Sequence, residues 1–447
     1  MANRYWVGGT GNWSDNTNHW SATSGGSPGA SKPTSADNVY FDENSFSASG
    51  QVVTINEIAY CLNMDWTGAN SPTLAGNSLC YVYGNLTFAQ NMQSTHSHGF
   101  RLCGLCNLTT NGLTLSSYIY IENQFAVVTL LDDLNTVNFN GIYFMKGTLN
   151  TNGKSVSCKY FESSSATTRT LILGASIITC SGNWTFTNIT GLTFDAGTST
   201  IIMTGNSKTF AGGGLTYHNV ELQGNNCTIT GSNTFNELKV KAGNTAVMTA
   251  GTTQTLISLV ADGATLQSSS AGSAATLSCA SGTVTVNNAT IKDIAATGGA
   301  TFNAIDCIDS GGNTGWLFGI SGSSSGIGSA SGDVVYGLGI SGSSLGVGYA
   351  IGDVVHGFGI SGSSSGIGTV TGRVLKSIGA VTDAYPTTFF VSNNTVYIMD
   401  GTELYSWSGS GNISVVIGYT PTVATASPPT GGGTLLESIN YLTGQKT

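Results

Sequence analysis

The residues best placed to touch a ligand lie in SSYIYIEN (116–123), where Tyr118, Tyr120 and Glu122 alternate with Ile119 and Ile121. Successive side chains of a strand point to opposite faces. If the two isoleucines are buried, two phenols and a carboxylate share the outer face. Tyr143 and Phe144 are expected to extend that row from a neighbouring coil. An exposed aromatic row can stack on sugar rings, because its faces are apolar while its polar edges stay wet. Tyr118, Tyr120 and Tyr143 are therefore the candidate binding residues. The competing reading is a row covered by a neighbouring subunit.

Other reactive types are sparser. His96 and His98 form an HxH in STHSHGF; such pairs from three chains of a fibre can surround a metal, but a single pair in a polar loop is read as solvated. Asp132 and Asp133 are adjacent acids. A glycosidase needs two carboxylates facing each other roughly 5–9 Å apart, and neighbours in a strand point to opposite faces, so this pair alone is a poor catalytic candidate. Cys103 and Cys106 make one CxxC with no second pair to complete a zinc site. The nine cysteines are an odd, scattered set that makes a poor disulfide framework. Spacings such as 80 to 103 and 158 to 180 resemble coil lengths, which favours small, buried, unpaired side chains stacked on one another. No catalytic residue, metal ligand or cofactor is assigned.

The elements that position these residues are short and recurrent: NLTF (85–88), SVSCKYF (155–161), SIITCSGNWTF (176–186), LTYHNVELQ (215–223), NELKVKAG (236–243) and GTVTVNNATIKDI (282–294). Leu238 and Val240 share one face and Glu237, Lys239 and Lys241 the other; Val220 and Leu222 oppose Glu221. That parity marks strands with one buried face. The pieces return roughly every 20–25 residues, the range in which a solenoid adds a coil. The fold class is all-β: a right-handed parallel β-solenoid over 56–316, preceded by a cap over 1–55. Trp6, Trp13 and Trp20 sit among Gly turns in that cap. They are read as covering the first coil, against an alternative in which they bind sugar.

Composition agrees. Only 8% of residues are charged and 62 are Gly, against about 25% and about 7% in ordinary proteins. Such a chain exposes hydroxyls and amides in place of Lys and Glu. Fourteen basic residues spread thinly, with a net charge of −9, argue against nucleic-acid binding. No apolar run approaches the roughly 20 residues of a membrane-spanning helix, which argues against membrane insertion. The N-terminus lacks the basic-then-apolar order of a secretory signal, so the protein is expected to work where it is made, to leave by cell lysis, or to have an incomplete start.

Residues 317–376 repeat with a period of 20: GISGSS recurs at 319–324, 339–344 and 359–364, and Val334, Val354 and Val374 hold one apolar place. Asp333 and Asp353 are followed by Arg373, which would relieve acid-on-acid repulsion in a stack. The phased Ile and Val favour ordered strands over a flexible Gly/Ser linker. So little apolar area in one copy favours packing several chains together as a homotrimer or larger assembly. From 377 a small β module is expected, with strands in FFVSNNTVYIMDGTELYSWSG turning at Asp400-Gly401, then a linker over 424–433; it can continue beyond Thr447.

The opening RYWVGGTGNWSDNTNHWS with PTSADNVYFDENSFS, and the close ATGGATFNAIDCIDSGGNTGWLF, resemble β-solenoid proteins of tailed bacteriophages (tail fibres and tailspikes) and related bacterial surface adhesins. The resemblance spans about 4–318, and the GYTPTV and GGGT segments near the C-terminus weakly resemble modules of phage virion proteins. It implies an external virion appendage that contacts other virion proteins and binds a host-surface glycan or other receptor. It transfers no catalytic residues. The alternatives are a polysaccharide-degrading tailspike enzyme, which predicts facing carboxylates in a groove, and a secreted adhesin, which predicts a signal or sorting sequence.

Overall fold

The computed structural model describes residues 1–321 and, beyond them, 329–331, 339–341, 349–351, 359–361, 388–392, 395–399, 403–409, 412–416, 422–423, 437–440 and 445–446. Among the described residues there is no helix. Residues 1–319 form one compact unit, a parallel β-solenoid of about 13 turns.

Each coil contributes to three ladders. The first ladder stacks Asn3–Trp6, Asn38–Tyr40, Met64–Asp65, Leu86–Thr87, Leu105–Thr109, Val127–Leu130, Gly147–Asn150, Arg169–Ile172 and Leu192–Asp195 in parallel. The second begins at Gly11–Asn12 and Val52–Ile55. The third runs from Ala59–Cys61 through Leu79–Val82, Gly99–Leu102 and Tyr118–Ile121 to Ile308–Asp309. Long strands such as Leu134–Phe144 and Val156–Glu162 run from the second ladder into the third, with a shift of register between Thr136 and Gly141.

Alternation sends one residue of each pair inward, and the ladder places like on like. Phe100, Ile119, Ile142, Phe161, Trp184, Phe210 and Ile229 are consecutive partners in one buried column. Val156, Ile178, Ile201, Val220, Leu238 and Leu259 form another. Burying each such side chain contributes about 1.5–3 kcal/mol. The outward partners follow the expected parity: Glu221 sits beside Lys239 and pairs with it at 3.0 Å.

The N-terminal segment is continuous with the solenoid. Asn3–Trp6 already pairs with Asn38–Tyr40, 35 residues on, and the turn-rich stretch 23–35 is an excursion within that first coil. Trp20–Ser21 folds back antiparallel on Tyr5 and Trp6 and covers the edge of the first ladder. Trp6, Trp13 and Trp20 are all buried and meet edge to face around Phe41. The Trp6 and Trp20 indole N–H groups donate to the Gly9 and Trp13 carbonyls. Their ring faces are spent on the core, so these residues offer no sugar platform.

All nine cysteines are free, and seven are buried. Cys158 and Cys180 are ladder partners. The other spacings do not mark stacks: Cys80 pairs with Phe100, and Cys180 with Met203. Coil length varies too much for a constant spacing to be a guide. Val220 lies on Leu238, 18 residues on, whereas Trp184 lies on Phe210, 26 residues on.

In the second unit, Gly339–Ser341 pairs in parallel with Gly359–Ser361, and Ser329–Ser331 with Tyr349–Ile351, each at a step of 20 residues. Ile340 is thus the ladder partner of Ile360. The valine row, Asp333, Asp353, Arg373, the Asp400-Gly401 turn and the linker 424–433 lie outside the described residues. Thr388–Ser392, Thr395–Met399, Leu404–Trp407 and Ser414–Val415 form the expected small antiparallel sheet.

An asparagine column runs along the first ladder. Asn38 donates to Asn3 Oδ1 at 3.0 Å, and Asn63 Nδ2 donates to Asn38 Oδ1 at 2.8 Å. The Asn85 and Asn107 backbone N–H groups donate to Asn63 Oδ1 and Asn85 Oδ1 at 2.6 and 3.0 Å. Replacing Asn63 strands a donor in one coil and an acceptor in another. Asn63→Ala is expected to lower unfolding stability by about 1–3 kcal/mol, and Asn63→Asp, which keeps the acceptor, by less. Urea unfolding of both variants measures this; an unchanged midpoint for Asn63→Ala would exclude a role for the column.

Candidate functional site

The third ladder carries its outward residues in register: Tyr60, Tyr81, Arg101, Tyr120, Tyr143 and Glu162 are successive partners across six coils. Tyr60 and Tyr81 stack at 5.1 Å between centroids, and Tyr120 and Tyr143 at 5.2 Å. The Arg101 guanidinium fills the gap, 5.5 Å from the Tyr81 ring and 5.3 Å from that of Tyr120. It also pairs with Glu122 at 2.6 Å. Cation–π contact on both faces, with a carboxylate at the edge, fixes the arginine in the stripe.

Tyr118, Tyr120 and Tyr143 are brought together, and all three are half-buried. Tyr118 tilts by 39° from Tyr120 and by 57° from Tyr143, at 5.8 and 5.6 Å. Its own ladder neighbour on one side is Gly99. A Cβ on Gly99 would fall 2.6 Å from the Tyr120 ring, so only glycine lets that ring lie back over the strand. Burial raises the Tyr120 and Tyr143 hydroxyl pKa values, and nearby phenols add to the effect. The phenols are therefore neutral hydrogen-bonding groups at physiological pH.

Two corrections concern this row. Phe144 does not extend it: Ile142 and Phe144 are the inward residues of their strand, and Phe144 lies fully buried beside Ile121. The mutual stacking of Tyr120 on Tyr143 also consumes ring faces that an isolated aromatic would offer to a sugar. What remains open is the hydroxyl edge of the stripe and the tilted Tyr118.

Sequence reasoning missed the neighbours of the stripe. Tyr60, Tyr81 and Arg101 lie far from Tyr120 in the chain, and only the register joins them. Beside Arg101, at the corner leading from the third ladder to the first, is an open pocket of about 390 Å³ lined by Tyr81, Tyr83, Arg101, Glu122, Phe125 and Lys146, among others. A difference in turn length creates it. Residues 103–104 make the corner in one coil, and a Cβ on Gly104 would meet the Tyr83 carbonyl oxygen at 1.9 Å. The next coil uses 122–126, which overhangs as a ledge held by Asn123, whose side chain accepts the Phe125 N–H at 2.9 Å. Phe125 at the tip is 73% exposed.

The other candidates are structural. His96 is buried, not solvated: Nδ1 bonds to the Ser117 hydroxyl at 2.8 Å and Nε2 to the Ser78 carbonyl at 2.7 Å. Asp132 accepts the Thr110 and Asn111 N–H groups of the preceding coil, and Asp133 that of Ser155 in the following one. Burial pushes the Cys103 and Cys106 thiols up to about 11 and about 12. No group of three or more metal-ligating side chains occurs among the described residues. Arg169 is 1% exposed, and its guanidinium donates to Ser163 Oγ and to the carbonyls of Ser163, Ser165, Thr167, Asn188 and Thr190.

These features define a β-solenoid with an aromatic, partly charged outer stripe. No protein-family model, no curated protein and no solved structure matches the chain.

Burial lowers the His96 pKa below its ordinary value. The unfolded chain then binds a proton near pH 6.5 that the folded chain refuses. Stability is therefore fully present above the unfolded value and falls as pH drops through it toward the folded value. Denaturant midpoints between pH 8 and pH 5 should decline, and His96→Gln should flatten that decline. An equal slope in the variant would show that other groups cause it.

Proposed function

We propose that the protein is an external structural component of a tailed-bacteriophage virion, of the tail-fibre or tailspike kind. It binds a glycan or other receptor on the host surface and does not turn it over. The observation that carries the reading is the outward tyrosine stripe, with Tyr118 tilted at its side. The resemblance of the two ends of the solenoid to phage appendage proteins supports the virion setting. Of the two carboxylates at the stripe, Glu162 belongs to the row as the ladder partner of Tyr143, while Glu122 is committed to Arg101; that leaves one carboxylate where hydrolysis of a glycan needs a pair, which favours binding over acid–base chemistry. Its partners are other virion proteins and the host receptor, and no nucleic acid, membrane insertion or cofactor enters the reading.

Immunogold labelling of purified virions tests the location: label on the external appendage supports it, and virions free of label overturn it. Purified protein should block virion adsorption to host cells. Tyr118→Ala should weaken cell binding about ten-fold, since a well-placed aromatic contact contributes about 0.5–1.5 kcal/mol beyond its buried area. Steady release of oligosaccharide from host glycans would replace this reading with the depolymerase.

The assembly is proposed to be a homotrimer or larger. Sparse apolar side chains in the Gly-rich repeats must offset roughly 1–2 kcal/mol of backbone entropy per ordered residue, which favours packing between chains. Light scattering should give a mass three times that of the 45.8 kDa chain, or more. A well-folded monomer would refute the assembly.

A further inference from the structure

We infer that the corner pocket beside the stripe is a subsite for a sugar unit carrying a carboxylate. This rests on the glycan-binding reading above and specifies its chemistry. The chain has 14 basic residues in 447, yet Arg101 and Lys146 line the same pocket. Glu122 is the one acid among its lining residues, and it is engaged by Arg101. Two cations against one carboxylate leave the pocket with a net charge of +1, on a protein whose net charge is −9.

Lys146 supplies that excess, with no ion pair to another described residue. Its backbone is anchored, since the Met145 and Lys146 N–H groups both donate to the Ile121 carbonyl. Lys146 lines the pocket, so its ammonium is a donor open to a ligand there. Such a donor favours a carboxylate over a hydroxyl, because hydrogen bonds with one ionised partner are strengthened when both are charged.

The remaining walls fit the rest of a pyranose. Phe125 overhangs with a face that no other ring covers, unlike Tyr120 and Tyr143. An apolar sugar face can rest on such a rim. The Tyr81 and Tyr83 phenols supply hydroxyls for the sugar's own. Burial raises the Tyr83 pKa, and the neighbouring Cys103 and tyrosines add to it, so it stays protonated and able to donate. Apolar rim, neutral donors and one uncompensated cation together describe an acidic hexose better than a neutral one.

The test uses the full chain and an array of bacterial surface polysaccharides, each acidic member paired with its carboxyl-reduced form, in which every carboxylate has become a primary alcohol. Carboxylate-bearing glycans should bind, and carboxyl reduction should lower affinity about ten-fold or more, with the loss shrinking as salt screens the charge. Lys146→Glu should reproduce the loss, Lys146→Arg should retain binding, and Phe125→Ala should weaken acidic and reduced forms alike. Circular dichroism melts of each variant should match the parent. Equal binding of acidic and reduced forms, still weakened by Tyr118→Ala, would overturn the subsite while leaving the glycan-binding reading intact. Binding to no glycan on the array would remove that reading and the subsite with it.

Discussion

The parallel ladder sets each strand residue against the one a coil above and the one a coil below, about 4.8 Å away. Almost every feature of this protein is a response to that constraint. Inward, it demands columns of matched apolar side chains, and Ile, Val, Leu and Phe supply them. Outward, it would set like charges almost in contact, so the chain carries few charges and answers Glu221 with Lys239. Amides tolerate self-stacking, because each can donate to one neighbour and accept from the other, as Asn63 does. Phenol rings tolerate it too, and the tyrosine stripe is the same logic expressed in aromatics.

Strand parity was the legible part of this fold. Leu238 and Val240 point inward as their alternation requires, and the candidate Tyr118, Tyr120 and Tyr143 do converge on one outer face. Register was not legible, because corners differ in length and each difference shifts the partner of every later residue. Cys80 and Cys103 illustrate the cost: their separation looks like one coil, but the coil there is shorter. Tyr81 and Arg101 were invisible as companions of Tyr120 for the same reason. His96 sits among Ser and Gly, a setting that in sequence resembles a solvated loop, whereas Ser78 and Ser117 satisfy both ring nitrogens inside the coil. Phe125 had no signal beyond a corner three residues longer than its predecessor.

The stripe and the pocket differ in how they are held. Stripe residues sit on strands whose positions the hydrogen-bonded ladder fixes, and their rings brace one another. Little side-chain freedom remains to be lost on binding, which favours affinity. The pocket is framed by corners, where chain length is free to vary without disturbing the core columns. A scaffold of this kind can keep its frame while the ledge at 122–126 lengthens or shortens, so recognition and folding draw on different parts of the chain.

Arg169 has a mechanical meaning. Its guanidinium spans the corner at 163–167 and the corner one coil later at 188–190, holding oxygen atoms of both. Elsewhere the coils are joined by ladders and by smaller side-chain ties such as the asparagine column; the ladder bonds lie along the stacking direction, so a pull in that direction loads the joints in series. Force then finds the weakest joint, and one reinforced by a buried cation yields late. The coils around 163–190 form a stiff link in that series, and tearing is directed to the joints on either side of it.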